Sequence, residues 1–255
     1  DFYESLDNSA MFWQVQSIQA FHSIVPGSLM EFYDSIGVQR DVASRPDTTH
    51  YGLRALTSVK YLFDNDHDEN YFAGEDYASP EMPGWMYYGN ANGFDIWENE
   101  NYIPMGFTYD HYVTEETYDA TPEDRRDLLM LKGIVLTEQQ IEEWGDMLTE
   151  LPADQVSYTS AAYEADCADR AALTCDTFQY TSTGFTATIS TSRDVPVFFS
   201  IPYESGWSAY VNGEEVDIER VNVGFMAIRV NAGTDVQIEF VYETPGLVLG
   251  AVITV

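Results

Sequence analysis

Residues 195–245 read VPVFFSIPYESGWSAYVNGEEVDIERVNVGFMAIRVNAGTDVQIEFVYETP, and the pair Asn212-Gly213 inside this stretch decides the fold class. Asn-Gly tolerates positive φ at both central positions of a type I′ turn, the two-residue connection whose twist suits a β-hairpin. Such a loop pairs its flanks symmetrically. Val211 therefore lies opposite Glu214, Tyr210 opposite Glu215, Ala209 opposite Val216, Ser208 opposite Asp217 and Trp207 opposite Ile218. The register sorts these residues by polarity. Trp207, Ala209, Val216 and Ile218 share a face fit to cover a core, while Ser208, Tyr210, Glu215 and Asp217 share the wet one.

Working outward, Val236, Ile238, Phe240 and Tyr242 alternate with Gln237 and Glu239, and Ala232-Gly233-Thr234 turns into them from the run Gly224 to Val230. Upstream, Phe185, Ala187 and Ile189 alternate with Thr186, Thr188 and Ser190. Val195 to Tyr203 is more continuously apolar, as expected for a central strand. Five or six short antiparallel strands at this spacing read as a β-sandwich over residues 153–246.

Residues 1–152 read as a mixed α/β part, which makes the whole chain α+β. Met11 to Ser23 alternates Phe12, Gln14 and Gln16 against Trp13 and Val15, a strand pattern. Leu29, Phe32, Tyr33 and Ile36 sit at helical spacing and Gly37 closes the helix. Tyr51 to Phe63 reads as a helical turn running into a strand. Trp85, Tyr87, Tyr88, Phe94 and Trp97 crowd residues 82–101 among glycines and asparagines. Two readings stay open there: a hairpin turning at Asn92-Gly93, or a platform on which ring faces stack against a sugar while amides bond its hydroxyls. Thr121-Pro122-Glu123-Asp124 opens a helix that Lys132-Gly133 closes, and Thr137-Glu138-Gln139-Gln140 is the capping box of another carrying Ile141, Trp144 and Leu148. The two predict an αα-hairpin over 121–151.

Composition excludes some functions. The net charge is −32 and the pI about 4.1, and lysine occurs only at Lys60 and Lys132. A nucleic-acid backbone or an anionic lipid surface would repel such a chain. No nucleotide-binding loop, H-E-x-x-H, G-x-S-x-G or CxxC motif is present, and His22, His50, His67 and His111 are scattered without triad spacing. Carboxylates are too abundant for any two to argue a glycosidase from linear sequence. Asp64, Asp66, Asp68 and Glu75 can be laid on a calcium loop, but Glu69 stands where that loop needs glycine and Tyr71 where it needs an aliphatic residue, so a solvated acidic turn is the simpler reading. No metal or cofactor is expected. Lys60 ends an apolar strand, where it either pairs a nearby acid or meets a ligand phosphate or carboxylate as a point charge.

Several blocks carry a resemblance. Ile201-Pro202-Tyr203-Glu204-Ser205-Gly206-Trp207, running on to Gly213, is one. Asn222-Val223-Gly224-Phe225-Met226-Ala227-Ile228 and Tyr242-Glu243-Thr244-Pro245-Gly246-Leu247 follow at matching spacing. Upstream stand the aromatic-serine element at 11–23, the Phe32-Tyr33 helix, Ser58-Val59-Lys60-Tyr61, and the asparagine-rich turn before Ile103-Pro104-Met105-Gly106-Phe107. Together they resemble the C-terminal extracytoplasmic region of the YfhO family of bacterial membrane proteins. That resemblance implies a polytopic, glycosyltransferase-like protein of GT-C type that passes a lipid-linked sugar, on the extracellular face of the membrane, to a polymer such as lipoteichoic acid. Catalytic acids are then expected upstream of this chain, which would be inactive by itself.

The same resemblance sets further expectations. Gly246 to Val255 is apolar throughout, which by itself also fits a final buried strand; in the family a transmembrane helix follows here, so 247–255 reads as the start of a truncated anchor. The expected partners are the transmembrane part of the same protein and an envelope glycan or lipid-linked sugar, touched through Trp85, Tyr88 and Trp97 with Lys60 or Arg54 offsetting one phosphate. An extracytoplasmic placement favours a disulfide between Cys167 and Cys175. Eight residues of continuous helix would hold them about 12 Å apart, so a bridge needs a turn within Ala168 to Thr174. The alternative function is a secreted carbohydrate-binding or adhesin module.

Overall fold

The computed structural model describes residues 1–3, 8–21, 25–39, 43–44, 46–65, 72–73 and 77–246. The run 247–255 and most of the acidic loop at Asp66, Asp68 and Glu75 lie outside them. In chain order the first elements are β1 (Phe2–Tyr3), α1 (Ser9–Trp13), β2 (Ala20–Phe21), α2 (Gly27–Ser35), β3 (Ala43–Ser44), α3 (Tyr51–Leu56), β4 (Tyr61–Asn65), β5 (Trp85–Ala91) and β6 (Phe94–Asn99). Next come β7 (Phe107–Thr108), β8 (His111–Thr114), α4 (Glu115–Ala120), α5 (Arg126–Lys132), β9 (Ile134–Leu136), α6 (Glu138–Trp144), β10 (Thr149–Glu150) and α7 (Ser160–Ala171). The remainder is strand: β11 (Thr177–Tyr180), β12 (Gly184–Thr191), β13 (Val195–Pro202), β14 (Trp207–Val211), β15 (Glu214–Val216), β16 (Glu219–Val221), β17 (Phe225–Val230) and β18 (Gly233–Tyr242).

The C-terminal strands form two antiparallel sheets, ordered β11-β12-β18-β14-β15 and β16-β17-β13-β7. Phe185, Ala187, Ile189, Ile238 and Phe240 of the first meet Val197, Phe199, Met226 and Ile228 of the second in one core. Asn212 and Gly213 have φ of 52° and 83°, the two positive values the hairpin turn demands. The ladder pairs Ala209 with Val216, Tyr210 with Glu215 and Val211 with Glu214, and there it stops. The pairings anticipated for Ser208 and Trp207 do not form, because the chain crosses after Val216 to the other sheet, where β16 pairs with β17. Trp207 pairs instead with Tyr242 of β18.

The run of β13 is apolar for a physical reason. Val195, Val197 and Phe199 face the sandwich core, while Phe198 faces a second core built by α2, α3, α5, β9 and α7. A sheet covered on both faces has no wet side to alternate toward. β7, from residues 107–108, pairs with β13 and completes this middle sheet. Beyond the helices a third core forms under the sheet β1-β4-β6-β5 around Leu62, Phe72, Trp85 and Trp97.

Several local expectations meet the structure unevenly. α2 ends as its glycine predicts, with Gly37 at φ 74° and Val38 N–H donating to Tyr33 O at 2.9 Å. The turn at Asn92-Gly93 joins β5 to β6, with both residues at positive φ. Residues 9–13 are helix rather than strand, because the Trp13 ring seats edge-on against Phe2, Phe63 and Phe94 and this packing overrides the alternation. Both helices expected over 121–151 are present, and Thr137 with Gln140 makes the full capping box. They do not form an αα-hairpin, since Ile134-Val135-Leu136 intervenes as β9 and pairs in parallel with β8. α5 is buried at every position from Asp127 to Lys132, which leaves it no solvated face. Thr121, read as its cap, instead donates to Thr117 O at the end of α4.

Cys167 and Cys175 are free, which corrects the expected disulfide. α7 continues through Ala171, so Cys167 points into the helical core while Cys175 belongs to the sandwich core.

Candidate functional site

Where the helical part meets the sandwich, the chain leaves a cleft of about 730 Å³. One wall is α2, through Leu29, Phe32 and Tyr33, and the opposite wall is the turn from Thr57 into β4. Phe178 and Tyr180 of β11, Ser200 to Pro202 of β13, and Phe225 supply the sandwich side. The gap between α2 and the sandwich is fixed by close contact. Ser28 Oγ donates to Tyr203 O at 2.7 Å, and Gly224 passes so near that a Cβ there would lie 2.4 Å from Ser28 O. Only glycine permits that approach.

The opposite wall is fixed by backbone geometry. Ser58 adopts φ 56° just past α3, and Val59 N–H donates to Arg54 O at 2.8 Å, so the chain reverses sharply and carries Lys60 and Tyr61 to the rim. The asparagine-rich turn holds this reversal. Buried Asn99 donates from Nδ2 to Val59 O at 3.0 Å and from its backbone N–H to Lys60 O at 2.9 Å.

At the rim, Lys60 Nζ stands 5.2 Å from the Tyr61 ring centroid and 5.8 Å from that of Tyr102, with Glu98 Oε1 at 3.5 Å. The Tyr61 hydroxyl and Glu98 raise the ammonium's pKa, so Lys60 is a stable cation at neutral pH. Burial raises the Tyr102 phenol, which stays neutral. Deeper in, Ser58 Oγ is shielded from solvent and has no hydrogen-bond partner among the described residues. The arrangement suits a ligand with flat apolar faces, a few hydroxyls and one negative charge. Among the described lining residues the one carboxylate is Asp1, and Arg54 Nε engages it at 3.0 Å.

The structure redistributes the residues singled out from sequence. Lys60 lines the cleft. Arg54 lies behind the wall at 2% exposure, where its guanidinium also donates to Asp47 O, His50 O and Pro46 O, so it is a structural clamp and cannot offset a ligand phosphate. Trp85 and Trp97 are 4% and 1% exposed in the third core, which removes them as stacking faces. Alternation along β5 and β6 turns their indoles inward. Tyr88 is 64% exposed, with its ring edge-on to Tyr61 at 5.7 Å, and so extends the aromatic rim. Tyr61, Tyr102, Phe178 and Tyr180 were not anticipated. Tyr61 sits beside Lys60 in the resembling block, but nothing in linear sequence brings residue 180 to residue 102.

Other reactive groups among the described residues lie elsewhere in the fold. Lys132 is buried and donates to Asp166 Oδ2 at 2.6 Å. Burial pushes both cysteine thiols up to about 12, which keeps them unreactive. His111 Nδ1 meets Thr149 Oγ1 at 3.0 Å. Among the described residues, no group of three or more His, Cys, Asp or Glu could hold a metal ion.

The sequence model of the family described as Bacterial membrane protein YfhO matches residues 2–171 and 154–254. No curated protein and no solved structure matches the chain. No helix among the described residues is long and apolar enough to cross a membrane.

Proposed function

The chain belongs to the YfhO family of bacterial membrane proteins, and we propose that it forms the extracytoplasmic part of such a protein, supporting transfer of a lipid-linked sugar to an envelope polymer such as lipoteichoic acid. In this reading the cleft holds the sugar, and the bond-making acids belong to extracytoplasmic loops near the first transmembrane helices of the same protein, upstream of this chain. One observation carries the proposal. Blocks that are far apart in sequence converge on a single cleft: the aromatic-serine element at 15–18, the Phe32-Tyr33 helix, Ser58 to Tyr61, Tyr102 with Met105, Ile201-Pro202 and Phe225.

The chemistry of the lining supports a sugar over a polyanion. A chain of charge −32 repels a polyphosphate over a range of about 8 Å at physiological salt. Neutral pyranose faces can stack on Tyr61, Tyr102 and Tyr180, and a single phosphate can meet Lys60. Each ring contributes about 0.5–1.5 kcal/mol beyond its buried area, so binding is weak unless the membrane raises the local concentration.

The test is an NMR or calorimetric titration of the 255-residue chain with a hexose 1-phosphate. Binding in the millimolar range, weakened by Lys60→Ala and by Tyr102→Ala, is expected. Binding that ignores both substitutions, or none at all, refutes the assignment of the cleft. Turnover of a glycoside by this chain alone would refute the division of labour.

A further inference from the structure

Charged residues make up 21% of the chain, yet residues 8–30 contain no Asp, Glu, Lys or Arg. It is the longest uncharged run in the sequence, and α1 lies within it. Met11 is 62% exposed, Phe12 85%, Trp13 37% and Val15 43%. These side chains do not project for want of a fixed helix. The Trp13 ring is wedged against Phe2, Phe63 and Phe94, with centroids 5.6, 5.2 and 4.9 Å away, which pins α1 to the body and holds Met11 and Phe12 outward.

We infer that α1 and Val15 form a membrane-docking surface that inserts shallowly into the lipid–water interface. Three observations favour a bilayer as occupant. The family is one of membrane proteins. Methionine, phenylalanine and tryptophan on one short segment are the side chains that partition into the interfacial layer. The distribution of charge is complementary as well. The acidic remainder of the surface is driven from lipid phosphates, so an uncharged apolar projection is the part that can approach them. Four side chains insert weakly, which orients a tethered domain without holding a free one tightly. Val15, Gln16, Ser17 and Ile18 follow α1 one residue on, after its cap Gln14, and line the cleft, so docking brings the cleft mouth to headgroup level. That last consequence rests on the sugar-binding reading, whereas the docking does not.

The experiment uses the 255-residue chain, phosphatidylcholine vesicles and the same vesicles with brominated acyl chains. Trp85, Trp97 and Trp144 are buried at 4%, 1% and 5% exposure and Trp207 is half-buried against the sandwich core, so the part of the bromine quenching that Trp13→Phe removes is the part that reports on α1. Quenching at millimolar lipid is expected, lowered by Trp13→Phe and shifted about tenfold to higher lipid by Phe12→Asp. Phosphatidylglycerol in the vesicles should weaken it. Because the Phe12 ring is so exposed, Phe12→Asp should leave thermal unfolding unchanged, and both variants keep residues 247–255, so the readout belongs to α1. Absence of quenching, or quenching indifferent to Phe12→Asp, overturns the inference. Sedimentation showing that Phe12→Asp converts a dimer into a monomer would overturn it too, assigning the surface to a second copy. Loss of docking with hexose phosphate binding intact would leave the cleft assignment standing.

Discussion

Replacing Asn222 should separate the sandwich from the helical part more effectively than any surface change. Its side chain is fully buried at the turn between β16 and β17. Oδ1 accepts from Val135 N–H at 2.7 Å, and Nδ2 donates to the Tyr109 hydroxyl at 3.2 Å, which itself donates to Met130 O at 2.8 Å. Asn222 also holds φ 46°, a region asparagine tolerates better than other side chains with a Cβ. In Asn222→Gly the φ value costs nothing, but Val135 N–H loses its acceptor inside a core, at about 1–3 kcal/mol. Tyr109 keeps its bond to Met130 and adds little. Asn222→Ala loses the same hydrogen bonds and must also hold a positive φ, at about 1 kcal/mol more. Urea unfolding followed by tryptophan fluorescence measures both variants. With a slope of about 3 kcal/mol per molar, the midpoint should fall by up to ~1 M for glycine and further for alanine. Losses under about 0.5 kcal/mol, or glycine as damaging as alanine, would refute the account.

Three further outcomes can be checked in the same way. Gly224→Ala would place a Cβ 2.4 Å from Ser28 O and 2.9 Å from Phe32 Cβ. It should cost about 1–3 kcal/mol in thermal unfolding and weaken hexose phosphate binding, because α2 must move from the cleft; unaltered stability would show the contact to be slack. Burial raises the Asp127 carboxyl to about 7, above the unfolded value of about 3.9. Between about pH 4 and pH 7 the folded chain keeps a proton that the unfolded chain has released, so stability falls as pH rises through that window and the penalty is complete above it. Asp127→Asn should gain stability relative to the parent as pH rises from 4.5 to 7.5, and a pH-independent difference in urea midpoints would refute the shift. Both buried thiols should resist an aromatic disulfide reagent in the native state and react in urea; an intact mass matching a bridged chain would contradict their separation into two cores.

How much was legible follows from how far each signal reaches. The turn at Asn212-Gly213, the Gly37 terminus and the Thr137 capping box are local devices whose partners lie within a few residues; each forms, and the hairpin register holds for the three pairs nearest its turn and is lost beyond them. The αα-hairpin failed because Ile134-Val135-Leu136 is too short to announce a strand without β8, which arrives from residues 111–114. At Met11 to Val15 a true alternation was outweighed by an aromatic socket assembled from residues 2, 63 and 94. The tryptophans show the same limit at the site. Composition marked 82–101 as aromatic, but which rings face water depends on which side of β5 and β6 meets Phe72, and that is fixed by tertiary packing.

Charge explains why Lys60, and not Arg54, stands at the cleft. Cations are few in this chain, and most of those described are committed to tying segments together: Arg54 to Asp1, Lys132 to Asp166, Arg170 and Arg193 to Asp110, Arg220 to Glu31, and Arg229 to Asp146 and Asp194. Removing one partner of the buried pairs would strand a charge in low dielectric, so those cations are held for the fold. Lys60 differs in kind. Its side chain is 45% exposed and its Glu98 partner 37%, a pair that solvent already screens and that contributes little to stability. Exchanging Glu98 for a ligand phosphate therefore costs the protein little, while Tyr61 and Tyr102 keep the ammonium charged and directed. In the proposed sugar-binding reading, a surface of charge −32 would act as a filter. It would repel extended polyanions through its long-range field yet admit a ligand with one phosphate and a neutral ring, and because added salt screens that repulsion first, such a ligand should bind no more weakly as ionic strength rises.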